Sequence, residues 1–395
     1  MSRATQMCPR WLAAIAHIAF ATSLATPLAT SLATPLAAQG TLSTQGLGFP
    51  PGQLSTRAIT MGGAIGEVDP FSPLNPAAAG RLRRSIIMMQ AEPEYREVKA
   101  GAASQRTSVT RFPLFLGSMP LGARWAVTVS ASTLFDRTWG TSAREVQVVG
   151  VDTVGATVSQ SSAGSLADVR VAVSYKVREW LQLGFGGHAY TGNDALRTIH
   201  AFDDTVRFKV DTLNTALGFG GNAFSTGALA FWPQVGTIGV TYRRGGTLNT
   251  YQGTRIVPGR VGSAPDHFGV SAEYLGIKGT TLGLRFARDQ WSRLKGLSPT
   301  LIVHEGLDIG AGAEVLGPRF GGGQVGLRFG ARARTLPFSA SATAVRERTL
   351  SVGFGLPLAS QRAELSVGAL RAARTGPVGQ SENAWTISTG FLVRP

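Results

Sequence analysis

Charged side chains that recur at every second residue carry the clearest chemistry in this sequence. The basic members are Arg285, Arg328, Arg332 and Arg334, and the acidic members are Glu273, Asp308 and Glu314. A spacing of two places such residues on one face of a β-strand, with apolar neighbours on the opposite face. We favour ion pairs between neighbouring strands that fill an interior. The alternative is a cationic patch that binds the carboxylate of an amphipathic ligand.

Patterns for catalysis or metal binding are weaker than this charge pattern. The histidines after residue 38 are His188, His200, His267 and His304, and none stands at the spacing of a metal-binding pair. His188 lies near Asn193 and Asp194 in the sequence, but no motif positions a nucleophile beside them. We therefore expect neither enzymatic activity nor a metal or cofactor.

The elements that must position these charges are β-strands, because apolar and polar residues alternate along most of the chain. In residues 168–177, DVRVAVSYKV, four valines and a tyrosine share one face, and charged and small residues share the other. Each predicted strand reaches the roughly 9–11 residues that a tilted strand needs to cross a bilayer. The fourteen predicted strands are 84–97, 107–118, 123–139, 165–177, 181–192, 219–231, 235–250, 266–275, 279–289, 303–315, 322–335, 345–357, 361–373 and 383–393.

The connections between these strands alternate in length. Those after the even-numbered strands are short, whereas several others are long and rich in Gly, Thr, Ser and Asp, among them 140–164, 193–218 and 251–265. Such sorting is typical of outer-membrane barrels, and in a bilayer only a closed ring of strands pairs every backbone group. The sequence predicts an all-β fold, a 14-stranded antiparallel transmembrane β-barrel in a Gram-negative-type outer membrane. The even strand number predicts that both termini are periplasmic.

Composition excludes several other classes of protein. The 395 residues include 50 glycines, are 43% hydrophobic and are only 15% charged, which is too apolar for a disordered chain. The one cysteine, Cys8, excludes a disulfide scaffold. The formal net charge of +15 fits contact with anionic outer-membrane lipid and lipopolysaccharide. The basic residues are scattered rather than clustered in a stripe, so we expect no nucleic-acid partner.

The N-terminal part of the chain has its own organisation. Residues 1–38 predict a signal peptide, because Arg3 and Arg10 flank the start of an apolar stretch and Ala37-Ala38 precede Gln39. Residues 39–83 show no strand pattern, and residues 84–395 form the predicted barrel. Ser55 is a candidate N-cap for a short helix, which the glycines at 62 and 63 would end.

The segment from Ser55 to Gly80, STRAITMGGAIGEVDPFSPLNPAAAG, resembles the N-terminal signature of the FadL-like family of long-chain fatty-acid transporters, which also includes PorV-like proteins. The residues that carry the resemblance are Arg57, Ala58, Met61, Gly62, Gly63, Ala64, Asp69, Asn75, Pro76, Ala77 and Ala78. Family members have fourteen strands, and their N-terminal segment folds into the lumen as a hatch. Residues 39–83 depart from the family in having fewer acidic or polar residues before Asn75.

The resemblance implies an outer-membrane barrel that passes hydrophobic or amphipathic, fatty-acid-like small molecules into the periplasm. The hatch and ligand path would then include Arg57, Met61, Gly62, Gly63, Phe71, Asn75, Pro76 and Ala77. The alternative function is a PorV-like scaffold that docks secreted or surface proteins. The barrel assembly machinery is a further expected partner, although the chain ends FLVRP rather than on the aromatic residue typical of such barrels.

Overall fold

Sixteen β-strands make up most of the chain in the computed structural model, which describes residues 41–101, 103–298, 300–320, 323–377 and 379–395. The predicted signal peptide lies outside the described residues. The strands are β1 (Ile86–Ala100), β2 (Ala103–Leu121), β3 (Trp125–Asp136), β4 (Trp139–Val149), β5 (Asp152–Arg178), β6 (Leu181–Phe202), β7 (Asp211–Trp232), β8 (Gly236–Gln252), β9 (Arg255–Ser263), β10 (Asp266–Ile277), β11 (Thr280–Gln290), β12 (Gly306–Phe320), β13 (Gly323–Thr335), β14 (Arg346–Leu358), β15 (Ala363–Thr375) and β16 (Gln380–Val393).

Fourteen of these strands close into one antiparallel ring. β1 pairs with both β2 and β16, and β8 pairs with both β7 and β10, so the sheet has no free edge around the ring. β4 and β9 lie outside the ring and extend β5 and β8 as hairpins. The predicted 14-stranded antiparallel barrel is confirmed. No helix within the described residues is long and apolar enough to cross a membrane.

The predicted long connections are largely strands. Most of 140–164 belongs to β4 and the start of β5, and the β5–β6 ladder continues out to the Ala156–Phe202 pair. The predicted loops 193–218 and 251–265 likewise contain the ends of β6 and β7 and the whole of β9. Pairing satisfies the backbone groups of these polar hairpins, and no apolar face is needed where they leave the bilayer. We call the end of the barrel with these hairpins the hairpin rim and the opposite end the short-turn rim.

Side-chain exposure alternates along the strands in the sense that a membrane barrel requires. On β5, Asp168 and Arg170 are buried, whereas Val169 and Val171 are 38% and 53% exposed. The same alternation of buried charged and exposed apolar residues recurs on β11, where Arg285 is buried between exposed Leu284 and Phe286. Polar side chains therefore face the interior and apolar ones face outward, which is the arrangement that lipid stabilises.

Residues 41–85, which we call the N-terminal segment, pack against the inward faces of the strands. Ser55 caps the short helix α1 (Thr56–Thr60) by accepting a hydrogen bond from the Ala58 amide at 3.1 Å. Gly62 and Gly63 follow with φ of 66° and 77°, a backbone region that favours glycine, and they end the helix. A 3₁₀ turn at Pro76–Arg81 then leads into β1.

Candidate functional site

Glycines on the inward wall make room for the backbone of the N-terminal segment. A Cβ added at Gly310 of β12 or Gly330 of β13 would clash with the backbone of Gly62, and one at Gly312 would clash with Met61. The backbone around Met61 therefore lies directly on the wall, closer than any larger wall residue would permit.

The Asn75-Pro76-Ala77 turn is fixed to the opposite part of the wall. The Asn75 side chain accepts a hydrogen bond from the Ala77 amide at 2.9 Å and donates to the Glu67 and Ala228 carbonyls at 2.8 and 3.2 Å. Gly184 provides the space under Pro76 and Ala77. This motif residue thus joins two parts of the segment to β7.

Arg57 connects α1 to two acidic wall residues. Its guanidinium donates to the Glu314 carboxylate from Nη2 at 2.9 Å and from Nε at 3.1 Å, and it lies 3.9 Å from Glu273. Arg328 donates to the same Glu314 carboxylate at 2.5 Å, and Arg81 pairs with Glu273 at 3.0 Å. Burial by itself would lower the pKa of Arg57, but the Glu314 carboxylate raises it above its ordinary value.

A second cluster is centred on Glu67, which the sequence did not single out. Its carboxylate accepts from Arg285 Nε at 2.9 Å and from the Ser271 hydroxyl. Arg285 also pairs with Asp308 at 2.5 Å, and Arg332 pairs with Asp308 at 2.7 Å. Burial alone would raise the pKa of Glu67, but Arg285 and then His267 outweigh it and lower the pKa to about 2. Glu67 of the N-terminal segment is therefore tied to the wall through Arg285, which Asp308 links to Arg332.

A ring of arginines surrounds Phe49 near the hairpin rim. The guanidinium carbons of Arg374, Arg111 and Arg334 lie 4.4, 4.9 and 4.9 Å from the ring centroid, and that of Arg96 lies 5.9 Å away. Arg334 also donates to the Pro50 carbonyl at 2.7 Å. Cation–π contacts of this kind gain strength where water is excluded. Sequence analysis missed this site because Phe49 stands outside any periodic pattern.

His188 lies in a buried hydrogen-bond network with Asp168 and Ser225. Its Nδ1 lies 2.8 Å from an Asp168 carboxylate oxygen, and its Nε2 lies 2.9 Å from the Ser225 hydroxyl. Gln53 and Arg243 also contact the Asp168 carboxylate, and Ser225 is 2% exposed. A substrate carbonyl has no approach to this hydroxyl in the observed conformation. Within the described ranges, no group of three His, Cys, Asp or Glu side chains is placed to hold a metal.

A small interior cavity of about 50 Å³ lies between the N-terminal segment and the wall. Gln53 and Leu74 border it from the segment, and Leu134, Trp291 and Asp308 are among the wall residues that line it. Towards the hairpin rim it meets an apolar cluster in which Phe135 packs on Trp291 and Phe338, with centroids 5.1 and 5.4 Å apart. The cavity therefore has an apolar side and a charged side.

The wall has a groove beside this cluster, between β2 and β3. The β2–β3 ladder ends at the Leu114–Ser132 pair, and β3 has a bulge between Thr133 and Phe135. Beyond that point Gln105 donates to the Gly140 carbonyl at 3.3 Å, so the two edges meet again near the hairpin rim. This groove, which we call the slot, has a volume of about 430 Å³, and a hydrogen bond from Arg111 of β2 to Asp136 of β3 crosses it. Its lining residues are Thr110, Arg111, Phe112, Thr133, Asp136, Thr138, Ala163, Gly164, Ser165 and Asn193.

The predicted path residues do not all lie at these openings. Met61, Gly62, Gly63, Asn75, Pro76 and Ala77 pack on the wall below the cavity. Phe71 packs near Ile86 and Met88 towards the short-turn rim, apart from the cavity. Gln53 also borders the cavity, and sequence reasoning missed it because it has no recognisable motif.

Known structures share this architecture. A Pseudomonas aeruginosa FadL homologue matches with a TM-score of 0.59 and 13% identity over 88% of this chain and 99% of its own. The Pseudomonas putida toluene transporter TodX matches at 0.57 and 11% identity over 88% and 99%, and the CymD monoaromatic hydrocarbon channel at 0.52 and 12% over 92% and 99%. No family model and no curated protein sequence matches the chain significantly. The chain is a closed outer-membrane-type barrel, and its fold is FadL-like.

Proposed function

We propose that this barrel is an outer-membrane channel that takes hydrophobic or amphipathic small molecules from the outside towards the periplasm. One observation carries the proposal: the slot, about 430 Å³ in volume, lies in the wall where the β2–β3 ladder stops, beside the inward apolar cluster, while the N-terminal segment fills the barrel below. Structural neighbours whose names describe toluene and monoaromatic hydrocarbons as cargo support it.

The slot is the exit that requires least rearrangement. The N-terminal segment acts as a hatch, since Arg57 and Glu67 tie it to the wall through buried ion pairs. Breaking one such pair by removing a partner costs about 3–5 kcal/mol. An apolar molecule in the cavity is separated from the slot by apolar side chains such as Leu134 and Leu166. Cargo would leave sideways into the bilayer and reach the periplasmic leaflet from there.

Uptake by cells producing slot variants tests this function. Ala163 lines the slot and is exposed, so Ala163→Trp fills the opening without entering the core. Ala331→Trp adds the same side chain to the exposed outer face of β13, far from the slot, and is the matched control. We expect Ala163→Trp to reduce uptake of labelled oleate or toluene at least about tenfold and the control to leave it unchanged. Equal uptake by both variants would exclude the slot as the route.

A scaffold that docks secreted or surface proteins is the second candidate. The extended hairpins carry apolar side chains that face water, since Val146 and Val148 are 73% and 74% exposed and Val151 and Val206 are almost fully exposed. Such residues are typical of contact surfaces. If the protein is such a scaffold, Val146→Ser and Val148→Ser should abolish its capture of a protein partner and leave small-molecule uptake intact.

A further inference from the structure

Basic side chains cluster on the lipid-facing surface near the hairpin rim. They are Lys99 of β1, Arg106 of β2, Arg346 and Arg348 of β14, and Arg371 of β15, and we call them the outer basic patch. All five are exposed. Arg371 is in register with Leu350 on one side and Trp385 on the other, and Trp385 is in register with Tyr95. The patch therefore lies on β14, β15, β1 and β2, with Trp385 of β16 between Arg371 and β1.

The depth of Arg371 places it at the upper edge of the lipid-facing band. It stands eight residues after Ala363, the first residue of β15 at the short-turn rim. At about 3.3 Å per residue and a tilt of about 40°, this is about 20 Å above that rim, in an apolar band about 25 Å tall. Tyr95 and Trp385, both about half exposed, share its level, as aromatic residues do at a bilayer interface.

These arginines differ from the inward ones in their pairing. Within the described part of the chain, Arg346, Arg348 and Arg371 have no acidic side chain within 4.0 Å, whereas Arg285 and Arg332 pair with acidic groups. Glu97 is the acidic residue of the patch, 3.7 Å from Arg106 and 3.9 Å from Lys99. Arg371 instead lies 5.6 Å from the Trp385 ring centroid. Cations at the edge of the hydrocarbon favour an anionic partner from the membrane.

A groove in the outer surface completes the site. It has a volume of about 510 Å³ and runs over β15, β16, β1 and β2. Arg106, Arg371 and Asn383 supply donors along it, and Tyr95 and Trp385 form its aromatic floor. Below it the outward side chains are apolar, among them Met89, Ile387 and Phe391, which suit acyl chains. The groove can hold a phosphate and a sugar-sized head group at once.

We propose that the outer basic patch binds the phosphorylated head group of an outer-leaflet glycolipid of the lipid A type. Guanidinium groups bind phosphate oxygens in pairs, which suits Arg348 and Arg371 on adjacent strands. The acyl chains of the same molecule then lie on the apolar wall below. This site is independent of the slot and of the proposed transport.

Equilibrium binding of lipid A to the purified full chain in neutral detergent tests the proposal. Each basic residue near a membrane surface contributes about fivefold, so R348Q/R371Q should weaken binding of bisphosphorylated lipid A about 30-fold. R124Q/R178Q removes two exposed arginines near the short-turn rim and is the matched control, expected to change binding less than about twofold. R348K/R371K keeps the positive charges but loses the paired guanidinium contacts, so it should weaken binding less than R348Q/R371Q does, which separates charge from guanidinium geometry. Faster gel migration before heating verifies that each barrel is folded.

The source of the phosphate and the independence of transport are tested in the same series. Phosphate-free lipid A should bind wild type and R348Q/R371Q equally weakly, and inorganic phosphate should not displace lipid A. If inorganic phosphate alone displaces lipid A, the patch binds free phosphate and is not a lipid site. Equal lipid A affinity of wild type and R348Q/R371Q would overturn the proposal. Oleate uptake should be unchanged in R348Q/R371Q, so failure of this site and failure of the transport function are distinguishable.

Discussion

Removing the charge of Glu67 should loosen the N-terminal segment without opening the ring of strands. Glu67 is fully buried and accepts from Arg285 and Ser271, so Glu67→Gln leaves the Arg285 guanidinium with Asp308 alone. Removing one partner of a buried pair costs about 3–5 kcal/mol. The lowered pKa of Glu67 gives a similar free energy for the contribution of its charge to docking, because a fall from 4.5 to about 2 corresponds to about 3 kcal/mol. The population of the undocked segment should rise about a hundredfold or more.

Hydrogen exchange of the amides in residues 55–69 measures this undocking directly. These amides should exchange about a hundredfold faster in Glu67→Gln, while those in β12 and β13 keep their protection. Glu97→Gln, which alters a half-exposed outward pair, is the control and should leave exchange unchanged. Combining Glu67→Gln with Arg285→Met removes the uncompensated charge and should restore most of the protection. Identical exchange in wild type and Glu67→Gln would refute the ion-pair account of the hatch.

Three further predictions follow from the same contacts. The pKa of Glu67 is lower in the docked state than in the unfolded chain. Its stabilisation of the docked segment is therefore present above about pH 4.5 and is lost as pH falls through about 2. The amides of residues 55–69 should lose protection from exchange as pH falls across that interval, and protection independent of pH there would refute the prediction. Phe49→Ala should speed proteolysis of residues 41–50 by removing the centre of the arginine ring, whereas Phe112→Ala, on the exposed outer face, should not. Gly330→Leu should undock the segment by clashing with Gly62, whereas Gly187→Leu, with open space around it, should not; equal protection in both would contradict the close approach.

The barrel wall was predictable because its signal is local. A period of two reports which face of a strand meets lipid, and it placed Arg285, Arg328, Arg332 and Asp308 on the inward face, where they are buried. The extended hairpins were predicted as loops because strands outside the bilayer need no apolar face. β4 and β9 therefore have the composition of connections, although β4 pairs with β5 along its whole length and β9 pairs with β8 at both of its ends.

The contacts of the N-terminal segment could not be predicted in the same way. Arg57 and Glu314 are 257 residues apart, and Glu67 and Arg285 are 218 apart, so no local pattern records either pair. Phe49 gains its role only because four strands bring arginines to one point. The slot depends on where the β2–β3 ladder stops and on a single bulge, and neither alters the alternation of residue types enough to be seen.

Photo-crosslinking tests the transport account most directly. A fatty acid with a photoreactive group on its tail is added to cells that make the full chain, and the modified peptides are identified by mass spectrometry. The account predicts adducts on the inward apolar cluster, at Phe135, Trp291 or Phe338, and on residues of the slot, with competition by unlabelled oleate. Adducts confined to lipid-facing residues such as Phe286 and Leu350, without competition, would contradict it.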